Sequence, residues 1–427
     1  MERKIYTYLN RWKRDPEKKI LVLYGNKQIG KTYAALKFGE KEYKNTVYLD
    51  SENNKELLDL FKTEKNPEKI VRHLSLIANE TIIESDTLII IDNVKDMEII
   101  NACKNFKKGN EELKYHIILI SSLRENINNF KCEELQFKAM HAVDFEEYLV
   151  AIDNRQLIDF IKTSYKNDKP MPFHSVALDY YNDYLMTGGF PEAVEMSLNN
   201  KNKLLLNTVF NKINNANKKE FINFDNLIDN IRTNEAYDSI PYQLNKSNKK
   251  FQYGIIKNGS RSKDYDKPIN FLHNNGFAYK CYKISDAKSP LANCKDPESF
   301  KLYLNDTGLL YNKLNLNQIR FLSDINYRNI IYENSIAINL VNLGYNIYYY
   351  QSEGKAEVSF VIQTRDGKIL PIELVNKNMS KSKSLTLFMN KTGIKEAIRV
   401  TDENFSKKKG IKYIPIYALF CLNEGIK

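Results

Sequence analysis

Short apolar runs punctuate the beginning of the chain: Lys19–Tyr24, Asn45–Asp50, Thr87–Val94 and Tyr115–Ser122. Each is continuous rather than alternating, the pattern of strands buried on both faces of a parallel sheet. Segments with helical spacing lie between them, which predicts βαβ connectivity. From about Asn154 to Ile231 the strand patterns stop and short helices take over. Gly188-Gly189 supplies a helix stop there, and Pro191 stands where a first helical turn begins. From Glu235 to about Ser285 a short helix is followed by a basic stretch, by a second helix ending at Asn275-Gly276, and at once by a strand. Helix, turn, helix and β-ribbon is the order of a winged helix. Beyond Pro297 the pattern predicts an amphipathic helix over Asn329–Leu343 and strands over Asn346–Tyr350, Glu357–Gln363 and Lys368–Leu374. The last two are joined at Asp366-Gly367, a hairpin turn signal.

Composition narrows the class. The 427 residues leave room for two to four domains. Hydrophobic residues at 42% and charged residues at 27% are ordinary for a globular chain and exclude a mostly disordered one. No apolar run approaches the roughly 18–20 residues that cross a bilayer. The N-terminus is charged throughout and lacks a signal-peptide core. Cys103, Cys132, Cys281, Cys294 and Cys421 are odd in number, far apart, and form no CxxC pair, which supports neither a disulfide framework nor a zinc site. The expectation is a cytoplasmic protein with no membrane segment. A net charge of +11 permits nucleic-acid contact. A Lys- and Asn-rich coding bias accounts for it equally well.

One motif carries specific chemistry. Gly25-Asn26-Lys27-Gln28-Ile29-Gly30-Lys31-Thr32 matches GxxxxGK[ST] and stands between a strand and a helix beginning near Tyr33. Its glycines let the loop wrap with N–H groups pointing at phosphate oxygens. Lys31 is expected to reach the β and γ phosphates, Thr32 to ligate Mg²⁺, and the helix to add its positive dipole end. The expected ligands are therefore ATP and Mg²⁺.

Asp92 ends a run of Leu and Ile, so its carboxylate emerges at the sheet edge where a water-mediated Mg²⁺ contact is needed. Hydrolytic members of this class usually place Glu next, to polarise the attacking water. Here the residue is Asn93, whose amide cannot take a proton but can orient a water. Ser122 stands where a polar group senses the γ-phosphate, and a strand-end turn explains it as well.

Further segments occur in one order: DFEEYL (Asp144–Leu149), YLMTGGFPEAV (Tyr184–Val194), FKLYLNDTGLL (Phe300–Leu310) and EVSFVIQ with ILPIEL (Glu357–Leu374). With the phosphate loop and Asp92 they make nearly the whole chain resemble prokaryotic AAA-type P-loop ATPases that carry a C-terminal domain of unknown function. The resemblance implies an α/β fold: a P-loop NTPase core over 1–153, a helical lid over 154–234, a winged helix over 235–288, and a restriction-endonuclease-like domain over 289–427. The chain departs from the family pattern at several positions. Asn93 replaces Glu. A basic residue usually precedes the DFEEYL-like segment, where a cation offsets γ-phosphate charge. Here Glu133 and Glu134 occupy that stretch, with Lys131 and Lys138 as alternatives. In the C-terminal domain the metal-binding Asp and the water-steadying Lys of a nuclease correspond to Ser359 and Val375. Glu373 survives, Glu333 lies on the preceding helix, and Lys377 is two residues beyond the expected lysine. Nuclease chemistry is therefore expected to be lost.

Pro241–Lys263 holds Lys246, Lys249, Lys250, Lys257, Arg261 and Lys263 with no acid, interleaved with Phe251 and Tyr253. In a winged helix such cations neutralise DNA phosphates. Asp264 and Asp266 in the next helix's first turn oppose that, and a protein-contact role remains open. The leading expectation is an ATP-binding switch with slow hydrolysis. The alternatives are a nucleotide-gated DNA-binding regulator without turnover and, third, a metal-dependent nuclease. Homo-oligomerisation and a protein partner stay open.

Overall fold

The computed structural model describes residues 1–107, 113–122, 132–199, 203–222, 226–352, 357–375 and 383–422. The chain divides into two compact units. The first is Met1–Ala142 with Asn274–Gly276, and the second is Val143–His273 with Phe277–Lys427.

The first unit is built on a parallel sheet. Its strands are β1 (Ile20–Tyr24), β2 (Asn45–Asp50), β3 (Thr87–Asp92), β4 (His116–Ser121) and β5 (Leu135–Ala139), in the order β2-β3-β4-β1-β5. β3 and β4 are buried at every position, as their unbroken Ile and Leu runs require. β5 was not foreseen. It is an edge strand, mostly half-buried, and LQFKA has no continuous apolar run to announce it. Because all five strands are parallel, the loops after β1, β2 and β3 leave from one edge of the sheet, where ligands of such sheets bind.

The second unit combines helices with an eight-stranded mixed sheet. Its strands are β6 (Ala278–Ile284), β7 (Lys295–Leu304), β8 (Tyr348–Gln351), β9 (Glu357–Gln363), β10 (Ile369–Val375), β11 (Ala397–Thr401), β12 (Ser406–Lys408) and β13 (Ile411–Pro415). The order is β12-β13-β11-β10-β9-β8-β6-β7. β8, β9 and β10 lie within two residues of their sequence-predicted positions, and β9–β10 is the expected hairpin. β6, read as the ribbon of a winged helix, pairs antiparallel with β7 and parallel with β8. Position 288 therefore lies between two strands of one sheet. Position 234 lies inside a single helix, Leu227–Leu244, whose start is set by Asn226 accepting a hydrogen bond from the Ile228 amide. Local periodicity carries no information about which strands pair across such distances.

The family-like segments have local structural reasons. Asp144 and Glu147 of DFEEYL form a reciprocal capping box at the start of helix Phe145–Ala151. TGGF and NDTG meet in space. Asp306 accepts hydrogen bonds from the amides of Gly189 (2.7 Å) and Leu309 (2.8 Å). Gly188 takes φ 71°, and a Cβ there would sit 2.3 Å from an Asp306 carboxylate oxygen. Burial raises the Asp306 carboxyl to about 6, against the lowering effect of the amides that bind it. Asp306→Ala removes a helix cap and leaves those amides unpaired in the interior. It is expected to cost about 2–3 kcal/mol in a denaturation experiment, with Asp306→Asn losing less.

Candidate nucleotide site

The phosphate loop follows β1 and runs into helix Lys31–Glu42. Gly25 has φ 150°, and a Cβ there would lie 2.3 Å from the Met140 carbonyl oxygen, so no larger residue fits. Gly30 caps the helix at φ 88°, and the first helical turn contains no acid to oppose a phosphate. The Gly25 amide donates to the Ser121 carbonyl at 3.2 Å, which fixes the loop to the end of β4 and sets Ser122 one residue beyond that contact. Within the same unit, Asn26 Nδ2 donates to the Asn275 carbonyl at 3.2 Å. Tyr33 is 60% exposed and Lys31 only 7%. Lys31 Nζ donates to the carbonyls of Gly25 and Asn26, both at 2.8 Å. Its ammonium is thus held over the loop that would cradle the phosphates.

Thr32 and Asp92 meet at the end of β3. Thr32 Oγ1 donates to Asp92 Oδ2 at 2.5 Å, and the Tyr48 hydroxyl donates to the same oxygen at 3.2 Å. Burial, with the charges of Asp92 and Asp50, pushes the Tyr48 hydroxyl up to about 12, so it stays a donor. The Asn93 amide donates to Asp92 Oδ1 at 2.7 Å.

The structure adds residues that sequence reasoning passed over. Asp50 ends β2 in register with Asp92 at the end of β3. Asn93 Nδ2 donates to Asp50 Oδ1 at 2.9 Å. Ser51 binds the Asp92 carbonyl through both its amide (3.0 Å) and its hydroxyl (2.8 Å). Partial burial raises the Asp50 carboxyl, but hydrogen bonds from Asn93, Asn53 and the Glu52 amide, together with the Lys27 charge, bring it below the ordinary value. The available signal was positional: Asp50 and Asp92 are each the final acid of a parallel strand.

The substitutes considered for a missing cation divide. Lys138 lies on β5 beside Leu23 of β1, its ammonium 4.7 Å from the Tyr8 ring centre. Lys131 lies outside the described residues, as does Lys377.

The motif acids of the C-terminal half, Glu333, Glu357 and Glu373, are engaged with protein cations. Lys301, 2% exposed, donates to Glu333 at 3.2 Å and to Glu357 at 2.5 Å. Glu333 also accepts from the Tyr303 hydroxyl at 2.5 Å and pairs with Lys249. Glu373 pairs with Arg399 at 3.0 Å. Among the described residues, no group of three or more His, Cys, Asp or Glu side chains could hold a metal ion. The basic stretch is depleted as well. Lys249 is taken by Glu333, and Lys246 donates to Gln252. Phe251 is buried, stacked on Phe300 with ring centres 5.3 Å apart, and the Tyr253 hydroxyl donates to Asp266. Lys257, Arg261 and Lys263 remain exposed.

Comparison with known proteins agrees with the first unit's geometry. Residues 17–154 match the AAA domain family. Residues 178–320 and 329–419 match two domains of unknown function, DUF8612 and DUF4143. No curated protein matches the chain. Among solved structures, the Walker-type ATPase of Pyrococcus abyssi is 11% identical over 73% of this chain and 95% of its own, with a TM-score of 0.39. A signal transduction ATPase with numerous domains and a tetratricopeptide repeat sensor, from Pyrococcus horikoshii, is 17% identical over 80% of this chain and 50% of its own, with a TM-score of 0.30. The Holliday junction branch migration motor RuvB of Thermotoga maritima is 11% identical over 67% of this chain and 88% of its own, with a TM-score of 0.29. The family match and the loop, lysine, threonine and aspartate geometry coincide on one stretch of chain, residues 17–154, which is similar to the AAA domain family.

Proposed function

We propose that the chain is a nucleotide-dependent switch that binds ATP with Mg²⁺ and hydrolyses it slowly, operating in the cytoplasm. The observation that carries this reading is the convergence of Lys31, Thr32 and Asp92 at the end of β1 and β3. Thr32 Oγ1 and Asp92 Oδ2 form an oxygen-only donor set, which suits Mg²⁺ shared with a nucleotide. Thr32 would hold the ion directly and Asp92 through water, and the ion would neutralise charge on the β and γ phosphates. The protein's own part is to wrap the phosphates with loop amides, to place the Lys31 ammonium against them, and to present Asn93 beside the reacting end. An amide at position 93 cannot accept the water's proton, which favours slow turnover. Among the described residues, no helix is long and apolar enough to cross a membrane. We read the C-terminal half as carrying a restriction-endonuclease-like fold whose acids serve packing, since Lys301 and Arg399 pair with them.

Binding of a fluorescent ATP analogue and phosphate release, measured in the same samples, test the proposal. Saturable Mg²⁺-dependent binding with slow release is expected. Absence of binding refutes it.

The exposed cations Lys257, Arg261 and Lys263 favour a second reading, nucleotide-gated DNA binding. Phosphate contacts by these residues make affinity fall with salt. Substituting all three with Glu is expected to weaken a low-salt gel shift at least about tenfold. Lys249 is unsuited to this test, because its removal also strips a cation from buried Glu333. No shift at low salt with the unmodified protein rejects the reading.

A further inference from the structure

A carboxylate on the neighbouring strand, Asp50, stands beside position 93. Asn93 takes φ 57°, a left-handed conformation that Asn tolerates better than longer side chains such as Glu. In that conformation its amide reaches sideways and donates to Asp50 Oδ1 at 2.9 Å. Asp50 thus lies one hydrogen bond from the residue that stands in place of the usual Glu. Its position is fixed from several directions. It pairs in register with Asp92, the next residue, Ser51, grips the Asp92 carbonyl twice, and Lys95 pairs with Glu52 at 3.0 Å across the two loops. The other Asp50 oxygen accepts from Asn53 Nδ2 at 2.7 Å.

We infer that Asp50 is the carboxylate that aims the attacking water in ATP hydrolysis, with Asn93 holding it in place; the inference rests on the ATP-binding reading above. Acid and amide have exchanged strands: the amide follows Asp92, and the acid ends β2. In the reaction, a lone pair of the water oxygen forms the new bond to the γ-phosphorus. The bond between that phosphorus and the β–γ bridging oxygen breaks, and its electron pair leaves on ADP. The proton lost by the water ends on the released phosphate. Phosphoryl transfer passes through a loose transition state, so catalysis comes chiefly from positioning the nucleophile and stabilising charge. Asp50 contributes by accepting a hydrogen bond from the water. An amide side chain presents a competing donor there, while a carboxylate offers acceptors only.

Asp50→Asn tests this with little change in shape, because the new carbonyl oxygen can still accept from Asn93. The expected result is a fall in kcat of about 100-fold with ATP affinity within about threefold of the unmodified protein. In a single-turnover experiment, radiolabelled ATP should stay bound and intact on the variant while it becomes ADP on the unmodified protein. Asp50→Ala, read by the same two measurements, keeps the test standing if the Asn variant folds poorly. A kcat within threefold of the unmodified protein overturns the inference. So does a loss of turnover that merely follows a loss of ATP affinity, and so does unmodified protein that turns over no faster than Lys31→Ala. Failure of the unmodified protein to bind ATP is a different result, since it removes the ATP reading first.

Discussion

Lys31→Ala should weaken ATP binding by roughly 100-fold or more, equivalent to about 3 kcal/mol, because one ammonium faces several phosphate oxygens. The estimate depends on where Lys31 lies. It is 7% exposed and already held by the Gly25 and Asn26 carbonyls, so little side-chain entropy remains to be lost when phosphate arrives. Removing it leaves loop amides and a helix N-terminus, which attract anions more weakly than a full charge does. The same substitution deletes two loop hydrogen bonds, so stability must be followed separately. Thermal melting of the protein alone should fall by several degrees, since two carbonyls lose a buried donor. The rise in melting temperature that ATP and Mg²⁺ produce should largely vanish, because ligand stabilisation follows the ratio of ligand concentration to Kd. An undiminished ATP-dependent shift in the variant would overturn the assignment of the loop.

The β1, loop and helix unit was legible because its chemistry is local. GxxxxGKT must wrap a phosphate between a strand and a helix, and that requirement is written in eight consecutive residues. Asp92 was legible for a related reason, as the polar end of a buried apolar strand. Asp50 has the same mark and went unread, because its importance arises only when β2 and β3 pair in register. Pairing also explains β6. Its sequence fits a ribbon after two helices, yet its partners are β7 and β8, the latter paired 66 residues further along (Tyr282 with Tyr348). The acids Glu333, Glu357 and Glu373 stood out from their position in the motifs, and the expectation that metal chemistry is lost rested on Ser359 and Val375. In the structure Lys301, Lys249 and Arg399 pair with these acids, and nothing near Glu333 in the sequence announces Lys301 or Lys249.

That internal cation gives the largest stability effect expected in the second unit. Lys301→Met should destabilise it by about 3–5 kcal/mol, since removing one partner leaves a buried charge uncompensated. Burial alone would lower the Lys301 pKa, but Glu333 and Glu357 outweigh burial and hold it above the ordinary value. Burial likewise raises the Glu333 carboxyl, and the charges of Lys249 and Lys301 overcome it, bringing the group down to about 2. A folded-state value below the ordinary 4.5 means that ionised Glu333 contributes stability above about pH 4.5, and that this contribution is lost as pH falls toward 2. In Lys301→Met that contribution shrinks, so the loss measured by urea denaturation should be large at neutral pH and smaller near pH 4. Pairing the substitution with Glu333→Gln should recover part of the loss, because an amide is cheaper to bury than an unpaired carboxylate. Lys249 and Tyr303 still contact Glu333 in the single variant, which sets the lower end of the range. A loss below about 1 kcal/mol at neutral pH would mean that solvent reaches the cluster and that the buried ion pairs do not organise this half of the chain.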